Sequence, residues 1–147
     1  DNGNDRRRRS NGTNLLSQRR GERSNRKICD FIKECGCFYV LTINGDFPAG
    51  RPFGAVMEYE GKLFISTSDG NKVHKQLRNN GNIQILAKKE DTREWIRITG
   101  TATECNNVKM KQRMLEECPV LSKHFCKVLH FCKYINYLIF KFCNSFN

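Results

Sequence analysis

The chain has 147 residues, with 26 Lys and Arg against 15 Asp and Glu, a formal net charge of +11. Its length fits one domain of ordinary size, and its 38% hydrophobic content supports a packed core. No run approaches the roughly 18 to 20 apolar residues of a membrane-spanning helix, no signal peptide is expected, and 11 Gly with 3 Pro exclude a collagen-like or Pro-rich chain.

The charge is uneven. Residues 1–27 carry nine basic and three acidic side chains, residues 28–121 thirteen and twelve, and residues 122–147 four lysines and no acid. The basicity therefore belongs to the ends, whereas a nucleic-acid-binding domain puts a basic stripe on its folded part. Residues 1–25 hold almost no apolar side chain beyond Leu15 and Leu16 and are expected to form a disordered basic tail. The Arg6–Arg9 run reads either as a phosphate-binding arm for nucleic acid or an anionic membrane, or as a solvated tail or mistranslated flank. A short Arg run is a weak motif, so nucleic acid is disfavoured as a partner, and no membrane partner is expected.

From residue 26 the chain reads as one folded domain, 26–147. Ile28, Phe31, Ile32 and Cys35 fall at i, i+3, i+4 and i+7, one apolar face of a helix that Gly36 is placed to end. The run from Cys37 to Ile43 predicts a strand buried on both faces, and Asn44-Gly45 a hairpin turn. The return strand includes Arg51 to Glu58, and since Pro52 cannot donate to a ladder the strand is irregular or at a sheet edge at that point. A turn at Tyr59-Glu60-Gly61 leads into a strand from Lys62 to Thr67, then a short helix from Asp69 to Asn80 with Val73 and Leu77 on one face.

Two strands follow. Asn82 to Ala87 places Ile83, Ile85 and Ala87 on one side. Residues 93–103 alternate Ile96, Ile98, Gly100 and Ala102 against Trp95, Arg97, Thr99 and Thr101. A helix from Asn106 to Glu117 stops before Pro119. Residues 122–147 are atypical: Phe125 to Asn147 holds five of the ten Phe and three of the eight Cys with no clear period, a composition that suits an out-of-frame flank. Short strands joined by hairpin signals point to a mainly β fold, a small antiparallel β-barrel with flanking helices.

The segments FYVLTINGDFPAGRPFGAVMEYEGKLFISTSDGNKVHKQLRNN, NIQIL and WIRITGTA, in this order and spacing, resemble the pyridoxamine 5′-phosphate oxidase-like family of FMN-binding split β-barrels, which includes general-stress and nitroimidazole-resistance-like members. The likeness runs from about Ile28 to Leu121. It implies FMN as cofactor and a site at a homodimer interface. It also implies an oxidoreductase acting on a small-molecule substrate with a separate electron donor. Arg51 matches the strand arginine aimed at the FMN phosphate, and Pro52, Phe53 and Gly54 match backbone beside the flavin ring. Ser66, Thr67 and Ser68 match strand-end hydroxyls at the phosphate, Asn71 and Lys72 the start of the following helix (with Lys75 an alternative to Lys72), and Trp95 a side chain reaching the flavin of the other subunit. The segment that binds the vitamin phosphate in pyridoxamine-oxidising members has no counterpart here, which argues against vitamin B6 oxidation.

The residues support part of this on their own. A phosphate monoester needs fixed donors and cations, and a helix N-terminus offers free N–H groups and a positive dipole end. Lys72 in a first turn has the wrong sign for that dipole unless an anion sits there; otherwise it is a solvated lysine. An arginine beside Pro52 in an apolar strand should be paired, with a phosphate or with Glu58 or Asp69. Trp95 lies opposite Ile96 and Ile98 in the alternation, off the core, which favours an interface.

Other chemistry is poorly supported. The eight cysteines show no C-x2-C spacing, so no metal site is expected, and reduced thiols suit a cytoplasmic protein. His74 is either a proton donor near the site or a solvated histidine, and no catalytic residue is assigned. Two alternatives to the flavoenzyme stand. One is a non-catalytic module holding flavin, haem or a deazaflavin; the other is nucleic-acid binding through the Arg-rich arm.

Overall fold

The structure is a computed structural model that describes residues 5–68, 70–119, 121 and 137–144. Ten elements follow in order: α1 (Asp5–Cys35), β1 (Phe38–Asn44), β2 (Phe47–Phe53), β3 (Val56–Tyr59), β4 (Lys62–Ser68), α2 (Lys72–Asn79), β5 (Asn82–Lys88), β6 (Trp95–Cys105), α3 (Val108–Glu117) and β7 (Tyr137–Asn144). All strands join one antiparallel sheet in the order β2-β1-β5-β6-β7-β4-β3. The fold is mostly sheet with three helices, as composition and turn signals predict. The expected closed barrel is not seen among the described residues: the sheet is open, with β2 and β3 as its two edges.

The expected single return strand from Arg51 to Glu58 is in fact two. Gly54 and Ala55 interrupt it, and the chain passes from β2 at one edge to β3 at the other. Pro52 is tolerated because β2 is an edge strand. The preceding turn is one residue later than expected: Asn44 pairs with Phe47, so Gly45-Asp46 forms the two-residue loop, with Gly45 at φ 61°. Its β3–β4 counterpart is Glu60-Gly61, both with positive φ, the geometry of a type I′ hairpin.

The strand buried on both faces is β4, not β1. Phe38, Val40 and Thr42 are buried, but Tyr39 and Ile43 on the opposite face of β1 are exposed. β4 differs because helices cover both its faces. Leu63 and Ile65 pack in a cluster with Cys29 and Ile32 of α1, whereas Phe64 packs with Met57, Met114 and Cys118 beside α3. Full burial of side chains such as Ile32, Ile65 and Ile85 stabilises the fold by about 1.5–3 kcal/mol each.

Helix α1 carries the expected apolar stripe but begins far earlier than residue 28. Residues 5–25, expected as disordered tail, continue the helix. Arg, Gln and Glu are good helix formers, and a helix nucleated by its packed end propagates at low cost. The stripe also extends backward in polar form: Asn25 is buried and its Nδ2 donates to the Gly61 carbonyl. Glu22 lies so close to Gly61 that a Cβ there would stand 2.5 Å from Glu22 Cγ.

The alternations expected of β5 and β6 hold: Ile83, Ile85 and Ala87 are buried, and so are Ile98, Gly100 and Ala102. Helix α3 is capped by Asn107, whose side chain accepts from the Lys109 N–H. β7 lies inside the atypical 122–147 stretch and pairs with both β4 and β6, joining the β3–β4 hairpin to the rest of the sheet.

Candidate functional site

Strand alternation decides where Arg51 points. It pairs across the ladder with Val40, whose side chain is buried, so both lie on the inner face of the sheet, toward α2. There Arg51 Nη1 donates to Thr42 Oγ1 at 2.7 Å and to the Val40 carbonyl at 3.3 Å, while Nη2 donates to Gln76 Oε1 at 2.6 Å. Thr42 Oγ1 in turn donates to Gln76 Oε1. Thr42 and Gln76 are buried, and Arg51 is half-buried.

Every one of these partners is neutral. Among the described residues no carboxylate forms an ion pair with Arg51. Glu58, one expected partner, is committed elsewhere: its Oε1 accepts from the Gly61 N–H, and its Oε2 lies 3.7 Å from Arg26 Nε. Asp69, the other, lies outside the described residues. Burial pulls the Arg51 guanidinium below its usual pKa, but an arginine stays cationic at neutral pH. The result is a fixed, partly desolvated positive charge with no anionic partner among the described residues.

The second part of the site is the β4–α2 junction. Ser66 and Thr67 are buried at the end of β4, and Ser68 is its last residue. Helix α2 starts at Lys72, later than the expected Asp69, because β4 runs through Ser68 and a turn precedes the cap. Asn71 is the N-cap residue, but its side chain does not cap: Nδ2 donates to Thr67 Oγ1 at 3.1 Å. The first turn of α2 holds no acid. Lys72 and Lys75 are exposed and form no ion pair among the described residues. Lys72 and Gln76 stand four residues apart on one face of α2, so the helix that starts at this cation also touches Arg51 one turn later.

These features fit a phosphate: a guanidinium that no described residue neutralises, a helix N-terminus with no side-chain cap hydrogen bond and no acid in its first turn, and a lysine of otherwise unfavourable sign in that turn. His74 is buried on α2, which overturns its reading as a solvated histidine.

The remaining predicted residues do not all join this site within one chain. Phe53 faces inward and stacks on Phe38, with ring centroids 6.1 Å apart. Pro52 and Gly54 are exposed. Trp95 opens β6 on the opposite face of the sheet from Arg51, 56% exposed, with the Arg97 guanidinium 5.6 Å from its ring. That outward face continues through Pro52, Tyr39, Leu86 and Arg97, which are register neighbours on β2, β1, β5 and β6. Beside them lies an open groove of about 430 Å³, lined by Leu41, Ile43, Pro48, Gln84, Thr99 and Thr101 among others, with no charged residue in its lining.

Sequence reasoning missed Thr42 and Gln76. The one available signal was a lone Thr in an otherwise apolar strand run; Gln76 gave none, since a Gln in a short polar helix reads as solvated. Among the described residues no group of His, Cys, Asp and Glu could hold a metal, and no helix is long and apolar enough to cross a membrane.

No family model matches the chain, and no curated protein is similar to it. Solved structures are similar. A NimC/NimA family protein from Clostridium acetobutylicum is 34% identical, with 81% of each chain covered and a TM-score of 0.71. A putative pyridoxamine 5′-phosphate oxidase from Listeria innocua shares the fold at 14% identity, with 83% of this chain and 94% of that one covered and a TM-score of 0.63. So does the haem storage protein HutZ from Vibrio cholerae, at 11% identity over 82% of this chain and 89% of that one, with a TM-score of 0.60.

Proposed function

Because the chain belongs to the NimC/NimA family within the pyridoxamine 5′-phosphate oxidase-like proteins, we propose that it is an FMN-binding flavoprotein, an oxidoreductase that passes electrons from a separate donor to a small-molecule substrate. The observation that carries this reading is the Arg51 guanidinium, held by three neutral acceptors and with no carboxylate partner among the described residues. A phosphate dianion is the partner such a charge calls for.

Arg51 and the start of α2, with Asn71 and Lys72, would hold the phosphate; Ser66, Thr67 and Ser68 would lend hydroxyls, and Lys75 stands one turn away as a second cation. Bound FMN supplies the ring that accepts and returns a hydride or electrons. The protein's share is to anchor, orient and shield that ring. Pro52, Phe53 and Gly54 follow Arg51 directly and would lie along it.

The outward face supports a homodimer with closure of the split barrel around the cofactor. Tyr39, Ile43 and Trp95 are large apolar side chains left exposed there, and the neighbouring groove has no charge to repel a second copy. In a two-fold pair the same patch serves both subunits. Trp95 would then be covered by the partner and reach the partner's flavin. The five cysteines free among the described residues suit a reducing compartment, the cytoplasm.

The test is an absorbance scan of the purified protein after loading with FMN, followed by addition of a nicotinamide reductant. A retained flavin spectrum that bleaches and recovers in air supports the enzyme. A flavin that is retained but turned over by no donor favours the second reading, a non-catalytic holding module, which the shared fold with a haem storage protein also supports. A protein that retains no flavin removes the first reading.

A further inference from the structure

Resting on the reading of Arg51 as an anion anchor, we infer that Thr42 and Gln76 are positioning residues: a neutral clamp that fixes the guanidinium while leaving its charge available to a phosphate. Two other arrangements would satisfy a half-buried arginine. A carboxylate at position 76 would pair with it at the 2.6 Å now spanned by Nη2 and Oε1, and would cancel the charge. An apolar residue there would leave the side chain free to turn to solvent, at a cost in rotamer entropy whenever an anion bound. Gln76 does neither.

The bonding is economical. Oε1 of Gln76 accepts from both Arg51 Nη2 and Thr42 Oγ1, and Thr42 Oγ1 itself accepts from Arg51 Nη1. One amide oxygen and one hydroxyl therefore close a ring of three hydrogen bonds around the two terminal guanidinium nitrogens. The Val40 carbonyl takes a further bond from Nη1. Arg51 Nε makes no hydrogen bond among the described residues, and one N–H of Nη2 is left over from the bond to Gln76. In a guanidinium, Nε–H and one Nη2 N–H share an edge, the pair that can grip two phosphate oxygens side by side. Thr42 and Gln76 are buried, so water does not compete for their bonds. The clamp also joins β1, β2 and α2, which fixes the strand arginine relative to the helix that begins at Lys72.

The test uses inorganic phosphate as probe and the thermal midpoint of the full chain as readout, at ionic strength matched with chloride. Wild type is expected to gain stability saturably with phosphate. Gln76→Glu is expected to need about tenfold more phosphate for half the effect, the loss of one charge-assisted bond. Thr42→Val should weaken the response likewise, and Thr42→Ser, which keeps the hydroxyl, should restore it; this pair decides the matter if Gln76→Glu does not fold. A Gln76→Glu variant with the wild-type response, a Thr42→Ser variant as weak as Thr42→Val, or a wild type indifferent to phosphate overturns the clamp. Failure of the flavin reading shows separately: phosphate stabilisation with no FMN binding leaves the clamp standing and removes the cofactor.

Discussion

Arg51 Nη2 and Gln76 Oε1 lie 2.6 Å apart, joining an edge strand to a helix through a cation and a neutral amide. Replacing Arg51 by Ala removes both the charge and the tie. Retention of FMN is expected to weaken by about tenfold to a hundredfold, in line with one or two charge-assisted hydrogen bonds. Equilibrium titration by flavin fluorescence checks this. Unchanged affinity removes Arg51 from the site.

Trp95 is exposed in the single chain, so Trp95→Ala should alter the stability of a protomer by no more than about 0.5 kcal/mol. The same change is expected to weaken self-association. Sedimentation equilibrium over a range of concentrations reads both species. A variant that unfolds as a monomer, or that dimerises as tightly as wild type, contradicts the assignment of this face.

Gly61 is required twice over. Its φ of 75° suits glycine, and a Cβ would meet Glu22 Cγ at 2.5 Å and Glu22 Cα at 3.2 Å. Gly61→Ala should destabilise by about 1–3 kcal/mol, measured by urea unfolding. Adding Glu22→Ala should recover only part of this, because the backbone strain and the contact with Cα remain.

Burial holds the Cys29 thiol neutral, with its pKa pushed up to about 11 from the usual 9.0. The folded state therefore keeps a proton that the unfolded chain releases once the pH passes about 9. This contribution to stability is fully present below that pH and falls as pH rises toward 11. Cys29→Ser or Cys29→Ala should flatten this part of the stability–pH curve. Among the five cysteines described, a thiol reagent at pH 8 should modify exposed Cys37 first, with Cys29 and Cys118 reacting only on unfolding.

Ending the chain after Leu121 deletes β7 and bares the edges of β4 and β6. Loss of the cooperative unfolding transition and aggregation are expected. A truncated chain that unfolds like the full one shows that β7 is not needed to bridge the sheet.

Much of this architecture was legible in local pattern. Period-two alternation gave the buried faces of β5 and β6, because each has one covered and one open side. The spacing of Ile28, Ile32 and Cys35 gave the packed end of α1. What misled was tertiary context. Apolar residues at Tyr39, Leu41 and Ile43 suggested burial on both faces of β1, but among the described residues no helix covers their side; α3 covers β3 and β4 instead. The split at Gly54 was hidden because β2 and β3 are contiguous in sequence yet sit at opposite edges of the sheet. In the site, Arg51 stood out because a charge in an apolar strand is costly, whereas Thr42 and Gln76 became visible only when the fold brought three elements together.

The comparison of FMN with riboflavin tests the central claim most directly, since the two ligands share a ring and differ by the phosphate. Parallel titrations of the purified protein, read by flavin fluorescence, are predicted to give an FMN affinity at least about tenfold tighter. Equal affinities for both ligands would contradict a phosphate grip by Arg51 and the start of α2.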